Sequence, residues 1–510
     1  MSSPAPIQGS LAKDRLGVPS VVFFVMSAAA PLMVVAGVVT TGYAQTQITG
    51  IPLAFVAVAI ILMLFSVGYV AMSRHITNAG AFYAYVSSGL GRPLGVAAAW
   101  VALLAYNALQ VGLYGIVAAA VSPLLSQWFG LDVSNWWIIA LVAWALVGIL
   151  GVLRVDINGK VLAVLLCAEV VIVLIYDFAN LSKPGPSGVV FDTLQPNNLF
   201  VAGFGAVLVL TFLGFTGFES AVVFSEESKN PRRTVATATY LSVGIIGVTY
   251  ALSAWAMSVA TGPDAIVQQS AEQGPGLLFG LAGERLSTVF VDIGTTLFAT
   301  SVLASMISFH NTVARYTFAL GRERVFPSML STTGRRSGAP VAGSLVQSVS
   351  GLVVIIAYAV SGWDPVVRLF FWIGTAGGFG ILLLVALTSI AVIFYFARNA
   401  QGEGALHRIV APLLAAIALG AMVYYAVINF QNLLGVAEDD PLRYIIPAIY
   451  PAVALLGLLW ALFLKASKPE IYATIGLGAN SVAGLGTQGR GVPSQHEAQH
   501  SAQRNQDLMR

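Results

Sequence analysis

Three carboxylates stand where carboxylates are costly. Glu169, Glu219 and Asp292 lie inside long apolar runs instead of the polar stretches between them. A charge at the centre of a bilayer costs roughly 2.5–3.5 kcal/mol even on the lenient insertion scale. Such acids face a protein interior or a water-filled path, or they hold a proton. Glu169 is the only charge between Lys160 and Asp177. It reads as a proton carrier, a cation ligand, or a protonated acid bonding two helices. Glu219 directly follows Phe215-Thr216-Gly217-Phe218 and can either titrate or accept freed backbone amides. Asp292, a turn and a half from the start of its run, reads as a structural carboxylate near a positive helix end, with Arg285 close by.

The backbone is a second source of chemistry. One apolar run holds Ala30-Pro31-Leu32-Met33 at its middle, and Pro31 removes a hydrogen bond there. Another holds Phe215-Thr216 between Gly214 and Gly217. Freed amides attract a carboxylate, and freed carbonyls attract an ammonium or a cation. The plainer reading of each is a proline kink or a glycine packing notch. As a pair they mark a substrate site at Ala30, Pro31, Leu32, Met33, Phe215, Thr216 and Gly217, with Phe215 closing over the solute. Asn107, Gln110 and Tyr114 form a polar stripe at helical spacing that either lines the path, with Asn107 as a substrate contact, or bonds neighbouring helices. Thr300, Ser301, Ser305 and Ser308 offer hydroxyls that serve either cation ligation or helix packing. Asp364 and Arg368, four apart, are expected to pair.

These groups need elements to hold them, and the composition says which. The chain has 510 residues, of which 57% are hydrophobic and only 9% charged, against about 25% charged in soluble proteins. Mean hydropathy is +0.83. So few charges cannot cover a water-soluble fold of this size, which excludes a soluble enzyme, a disordered protein and a nucleic-acid binder. The single cysteine, Cys167, excludes an intramolecular disulfide and a cysteine metal cluster. No cofactor and no metal are expected. Spans of about 20 apolar residues number twelve: 18–42, 51–73, 94–127, 136–153, 158–181, 202–224, 235–260, 287–312, 340–361, 365–396, 409–430 and 444–465. With residues 1–17 as a cytoplasmic tail, 21 of the 25 basic residues fall on the inner side, leaving Lys183, Arg285, Arg368 and Arg443 outside. Both termini are therefore expected inside a plasma membrane. The interrupted first and sixth helices then run in opposite directions, the signature of an inverted repeat around a midplane site. The polar, Gly/Ser/Gln-rich stretch 466–510 is expected to be a disordered cytoplasmic tail.

Three stretches resemble amino acid–polyamine–organocation permeases: Gly214-FTGFESAVVFSEESKNPRR, Ser73-RHITNAGAFYAYVSSGLGRPLG and Ala314-RYTFALGRERVFP. The resemblance covers roughly Val18 to Lys465. It implies an all-α integral membrane fold of the leucine-transporter type, with a 5+5 inverted repeat and two further C-terminal helices. It also implies transport of an amino acid or related amine. For Glu219 it implies a part in gating and in holding the broken segment. For Glu169 it implies the place where related proton-coupled permeases carry a lysine in lieu of sodium. The Arg232-Arg233 and Arg322-Glu323-Arg324 clusters would form a cytoplasmic latch or act only as topology charges. Ala30-Pro31-Leu32-Met33 replaces a Gly-Ser-Gly-like turn, which weakens the carboxylate cradle and tilts toward amines.

The expected function is proton-coupled import by alternating access, with a small solute, the bilayer and a proton as partners. Sodium symport, exchange, polyamine or ethanolamine import and a nutrient sensor on the same scaffold are the alternatives. Two tail motifs are discounted. His496-Glu-Ala-Gln-His500 matches a zinc pattern that needs a stable helix. Gly484-Leu-Gly-Thr-Gln-Gly489 matches a dinucleotide turn that needs a strand before it and a helix after it.

Overall fold

The computed structural model describes residues 11, 13–153, 155–335 and 337–481, with backbone alone for 155–162 and 480. The two tail motifs lie outside the described residues. Inside lipid a backbone must satisfy its own polar groups, so long apolar runs fold as helices. Eleven helices among the described residues are long and apolar enough to cross a membrane, and a twelfth, Trp136–Val152, has 17 residues. In chain order they are helix 1 (Val18–Thr46), helix 2 (Ile51–Ser73), helix 3 (Arg92–Phe129), helix 4 (Trp136–Val152), helix 5 (Val155–Ser182), helix 6 (Phe204–Glu227), helix 7 (Pro231–Thr261), helix 8 (Thr288–Arg322), helix 9 (Val341–Ser361), helix 10 (Pro365–Arg398), helix 11 (Leu406–Ile428) and helix 12 (Leu442–Ser467). Helices 1–5 and 6–10 form the two halves of the inverted repeat, and helices 11 and 12 follow.

Local chemistry sets several starts. Pro19, Pro52, Pro93 and Pro231 occupy first turns, where the missing N–H would have had no helical partner anyway. Asn230 caps helix 7 by accepting the Arg233 N–H at 3.3 Å. Asp364 does the same for helix 10, accepting the Val367 N–H at 2.8 Å. The expected pairing with Arg368 gives way to that cap, and Arg368 stacks over Trp363 and Trp372.

Helices 1 and 6 are both broken. Helix 1 is regular over Val18–Ala29, turns left-handed at Ala30 (φ 45°), restarts at Pro31 and runs as a π-helix over Val34–Val39. Helix 6 is regular over Phe204–Phe215, opens at Thr216 and Gly217, and continues as a 3₁₀-helix over Phe218–Glu227. Gly217 has φ 109°, open to glycine at no steric cost. A Cβ there would also lie 2.5 Å from that of Ala28, so the two breaks touch. Each first half has 12 residues, about 18 Å at 1.5 Å per residue. Starting from opposite faces of a core about 30 Å thick, the halves meet near its middle.

Helix 2 packs along helix 7, and helix 3 along helices 8, 10 and 12. Helices 3 and 10 approach closely because a Cβ at Gly377 would come within 2.8 Å of the Ala105 carbonyl oxygen. The expectation of a disordered tail fails for residues 469–481. They form a helix, Pro469–Thr474, and a short turn, with Ile471, Thr474 and Ile475 buried. Hydrogen bonds to Glu323 hold this segment, as described below.

Candidate functional site

The break in helix 1 leaves backbone groups without helical partners, and side chains from three other helices supply them. Ser305 of helix 8 donates to the Ala28 carbonyl at 3.0 Å, and Tyr250 of helix 7 donates to the Ala29 carbonyl at 3.0 Å. One turn further along helix 8, Ser308 donates to the Phe24 carbonyl at 2.7 Å. On the other side of the break, the carboxyl group of Glu169 on helix 5 lies beside the Leu32 N–H. Glu169 also accepts the Ser301 hydroxyl at 2.7 Å and is 2% exposed. One buried acid therefore joins helices 1, 5 and 8 at the point where helix 1 restarts.

The break in helix 6 is held by Glu219. Its Oε2 accepts the Gly217 N–H at 3.0 Å, and its Oε1 accepts the Tyr106 hydroxyl of helix 3 at 2.7 Å. Tyr69 of helix 2 donates to the Glu219 carbonyl at 2.9 Å. Tyr106 sits 5.5 Å from the ring of Tyr316 on helix 8, whose hydroxyl accepts the Phe82 N–H. Tyr69, Tyr106 and Tyr316 are all fully buried. They form an aromatic floor between the breaks and the face that carries the chain's N-terminus.

Below that floor, two acids at the end of helix 6 meet two arginines of helix 8. Arg315 pairs with Glu227 at 2.5 Å with both side chains 1% exposed, and it lies 4.8 Å over the Phe224 ring. Arg322 clasps Glu226 through two bonds of 2.6 and 2.7 Å. The Arg15 and Leu16 amides donate to the Glu227 carbonyl at 2.9 and 3.0 Å, which ties the N-terminal segment to the same joint. Glu323 forms a third joint. It accepts Asn78 Nδ2 at 3.0 Å, the Tyr83 hydroxyl at 2.5 Å, and the Gly476 and Gly478 amides at 2.5 and 2.7 Å. Burial pushes its carboxyl group above the usual glutamate range, against the Tyr83, Gly476 and Gly478 donors and Arg322.

The structure thus brings together Ala30, Pro31, Leu32, Glu169, Thr216, Gly217 and Glu219 around the paired breaks. Met33 is half-buried at the head of the second half of helix 1. Other expected residues face elsewhere. Phe215 packs between Phe55 of helix 2 and Tyr250 of helix 7, with ring centroids 6.1 and 5.9 Å away. Asn107 bonds Leu103 in its own helix and Ser350 of helix 9, and Gln110 links Tyr114 to Gln347 of helix 9. The polar stripe of helix 3 is thus bonded to helix 9. Asp292 accepts Gln127 of helix 3 at 2.9 Å, and Arg285 turns to carbonyls and to Glu284. Thr300 bonds its own helix. Of the arginines expected at a cytoplasmic latch, Arg322 pairs with Glu226, while Arg232, Arg233 and Arg324 form no ion pair among the described residues; Arg315 adds a pair with Glu227, and the sequence reading passed over both acids. Arg315 and Arg322 are two turns apart, a spacing that puts them on one face of helix 8. Tyr106 had no such signal.

A family model described as amino acid permease matches residues 16–463. The chain is 26% identical over 297 residues to the low-affinity putrescine importer PlaP of Escherichia coli (strain K12), a match covering 54% of this chain and 60% of that protein's length. It is 24% identical over 451 residues to the uncharacterized transporter Mb2022c of Mycobacterium bovis, covering 87% of this chain and 83% of that one. It is 27% identical over 172 residues to the chloroplastic cationic amino acid transporter 6 of Arabidopsis thaliana, covering 33% and 27%.

Proposed function

Since the chain belongs to the amino acid permease family, within the amino acid–polyamine–organocation superfamily, we propose that it imports an amino acid or related amine by alternating access, driven by protons, with Glu169 as the proton carrier. The observation that carries this reading is the seat of Glu169 between the Leu32 amide at the helix 1 break and Ser301 of helix 8. The face bearing the N-terminus is the cytoplasmic one, on the distribution of basic residues. The three joints on that face hold the inner exit shut in this conformation.

The cycle follows from charge and burial. An ionised Glu169 in a closed, dry interior carries a desolvation cost that protonation removes. Solute and proton therefore enter together from the outside, and the neutral, loaded form rocks inward. There the helix 6–helix 8 joints part, and water around Glu169 takes the proton. One observation favours an amine over a zwitterionic amino acid. The Leu32 amide that would meet a solute carboxylate already faces the acid Glu169. The importer among the relatives is named for putrescine, which gives that reading independent support.

Glu169→Gln tests the coupling. In proteoliposomes loaded with radiolabelled putrescine or, failing uptake, arginine, the variant should keep solute exchange and lose accumulation against a gradient when a pH difference is imposed. Undiminished accumulation by the variant would remove Glu169 from the proton path.

A further inference from the structure

Helix 5 buries more than one acid. The stripe that faces the interior runs through Glu169, Val173, Tyr176, Asp177 and Asn180, each 3% exposed or less. Asp177 is eight residues beyond Glu169, about 12 Å along the axis, and about 8 Å from the end of the helix at Ser182. Its Oδ2 accepts the Ser253 hydroxyl of helix 7 at 2.8 Å, while its Oδ1 has no partner among the described residues. One turn on, both Oδ1 and Nδ2 of Asn180 are buried without a partner. Buried polar groups of this kind are normally completed by ordered water or a bound ion.

The charged and titratable groups toward the outer ends of the packed elements are engaged elsewhere. Tyr43 of helix 1 donates to the Ala254 carbonyl, Tyr176 to the Phe290 carbonyl, and Tyr250 of helix 7 to the Ala29 carbonyl. Asp292 of helix 8 accepts Gln127. At the outer end Lys183 donates to the Arg285 carbonyl, and Arg285 pairs with Glu284. No basic side chain among the described residues pairs with Asp177.

We propose that Asp177, with Asn180 and Ser253, forms a second proton-binding site that loads Glu169 from the outer side. The inference rests on the proton-coupled reading above. The chemistry of the site favours a proton over a metal cation, because the Asn180 amide brings a donor and the three residues offer too few oxygens to enclose a cation. Water held at the open Asp177 and Asn180 atoms delivers a proton to the carboxylate, forming a carboxylic O–H. That O–H bond breaks as the proton passes to a water molecule, water carries it across the roughly 12 Å to Glu169, and an O–H bond forms there. Helix 7 lines the route in parallel, since Tyr250 sits one turn inward of Ser253 and its hydroxyl bonds Ala29 in the helix 1 break. Proton number and charge are conserved at each transfer, and no second ion is required.

Infrared difference spectroscopy of the full chain in sealed vesicles tests this without any solute. After a pH jump on the outer side, the carboxyl C=O band removed by Glu169→Gln reports the proton on Glu169. In Asp177→Asn that band should reach the same final amplitude about a hundredfold more slowly, the low end of what a positioned proton-transfer group supplies. A second band should vanish in Asp177→Asn, and Asp177→Glu should restore the fast rate. If Asp177→Asn does not fold, Asn180→Leu keeps the acid, removes the water-holding amide, and should slow the same band. An unchanged rate in a folded variant overturns the relay. A shift of the Asp177 band on adding sodium chloride, absent with choline chloride, overturns it in favour of a cation site. Failure of the coupling reading is seen separately, as accumulation by Glu169→Gln.

Discussion

Glu219 and Glu169 are both buried acids at helix breaks, yet their partners differ, and so do the substitutions they tolerate. Glu219 accepts from the Gly217 amide and the Tyr106 hydroxyl. A glutamine can face its oxygen to Gly217 and its amide to Tyr106, whose hydroxyl turns to accept. Glu219→Gln should therefore melt close to the native protein and keep uptake within about tenfold, equivalent to about 1.4 kcal/mol. Glu219→Leu strands two buried donors at about 1–3 kcal/mol each, and should lower the melting temperature and abolish uptake. A Gln variant as inactive as the Leu variant would make Glu219 a proton carrier instead of a cap. At this scale the sequence was readable where a charge interrupted an apolar run, as at Glu169 and Glu219. It was not readable where the partner was ordinary. Tyr106 is one of 17 tyrosines, and nothing in its neighbours marks it as the ligand of Glu219. Asp177 carries no such signal, because its burial depends on helix 7, where its partner Ser253 lies 76 residues away.

The two broken helices are joined to the rest of the bundle by different means. Helix 1 is held at its break by hydroxyls and one acid, all of them reversible contacts of modest strength. Helix 6 ends in the Glu226–Arg322 and Glu227–Arg315 pairs, which are buried and multiply bonded. Removing one partner of such a pair leaves a buried charge and costs about 3–5 kcal/mol, whereas replacing both by apolar residues is close to neutral. Arg315→Met alone should therefore destabilise the detergent-purified protein strongly, and Arg315→Met with Glu227→Leu should recover most of the loss. A double variant as unstable as the single would mean that the pair does not act as a unit. Pro31 and the Gly214/Gly217 pair placed both breaks to within a few residues. They did not show which backbone turns. In helix 1 it is Ala30, an alanine in a left-handed conformation that its neighbours over-determine. In helix 6 the chain stays helical through Gly214, which packs against Val34, and opens only at Thr216 and Gly217.

At the scale of the molecule, charge scarcity and span length predicted a twelve-helix membrane bundle, because both are sums over many residues. The docked segment 469–481 escaped that reading, since its hold depends on one carboxylate far away in the sequence. Glu323 has its proton affinity raised by burial when the segment is docked and returns to the ordinary range when it is released. The docked state thus binds more protons between those two values, so raising pH through that window favours release. A spin label at Leu477, in a Cys167→Ser background, should become more mobile as pH rises, and Glu323→Gln should flatten the response. Mobility that falls with pH would reverse the sign and rule out Glu323 as the titrating group.

The Gly476 and Gly478 amides that complete Glu323 belong to the last part of the described chain, beyond every membrane helix. During synthesis the third inner joint can therefore close only after all twelve helices have been made. A chain terminated after helix 12 would carry all twelve helices and a Glu323 that keeps Asn78 and Tyr83 but lacks two of its four donors. Cellular quality control that recognises exposed or unpaired polar groups would then meet that lesion at one known position. The last described residues thereby close a joint that a chain stopped at helix 12 could not make.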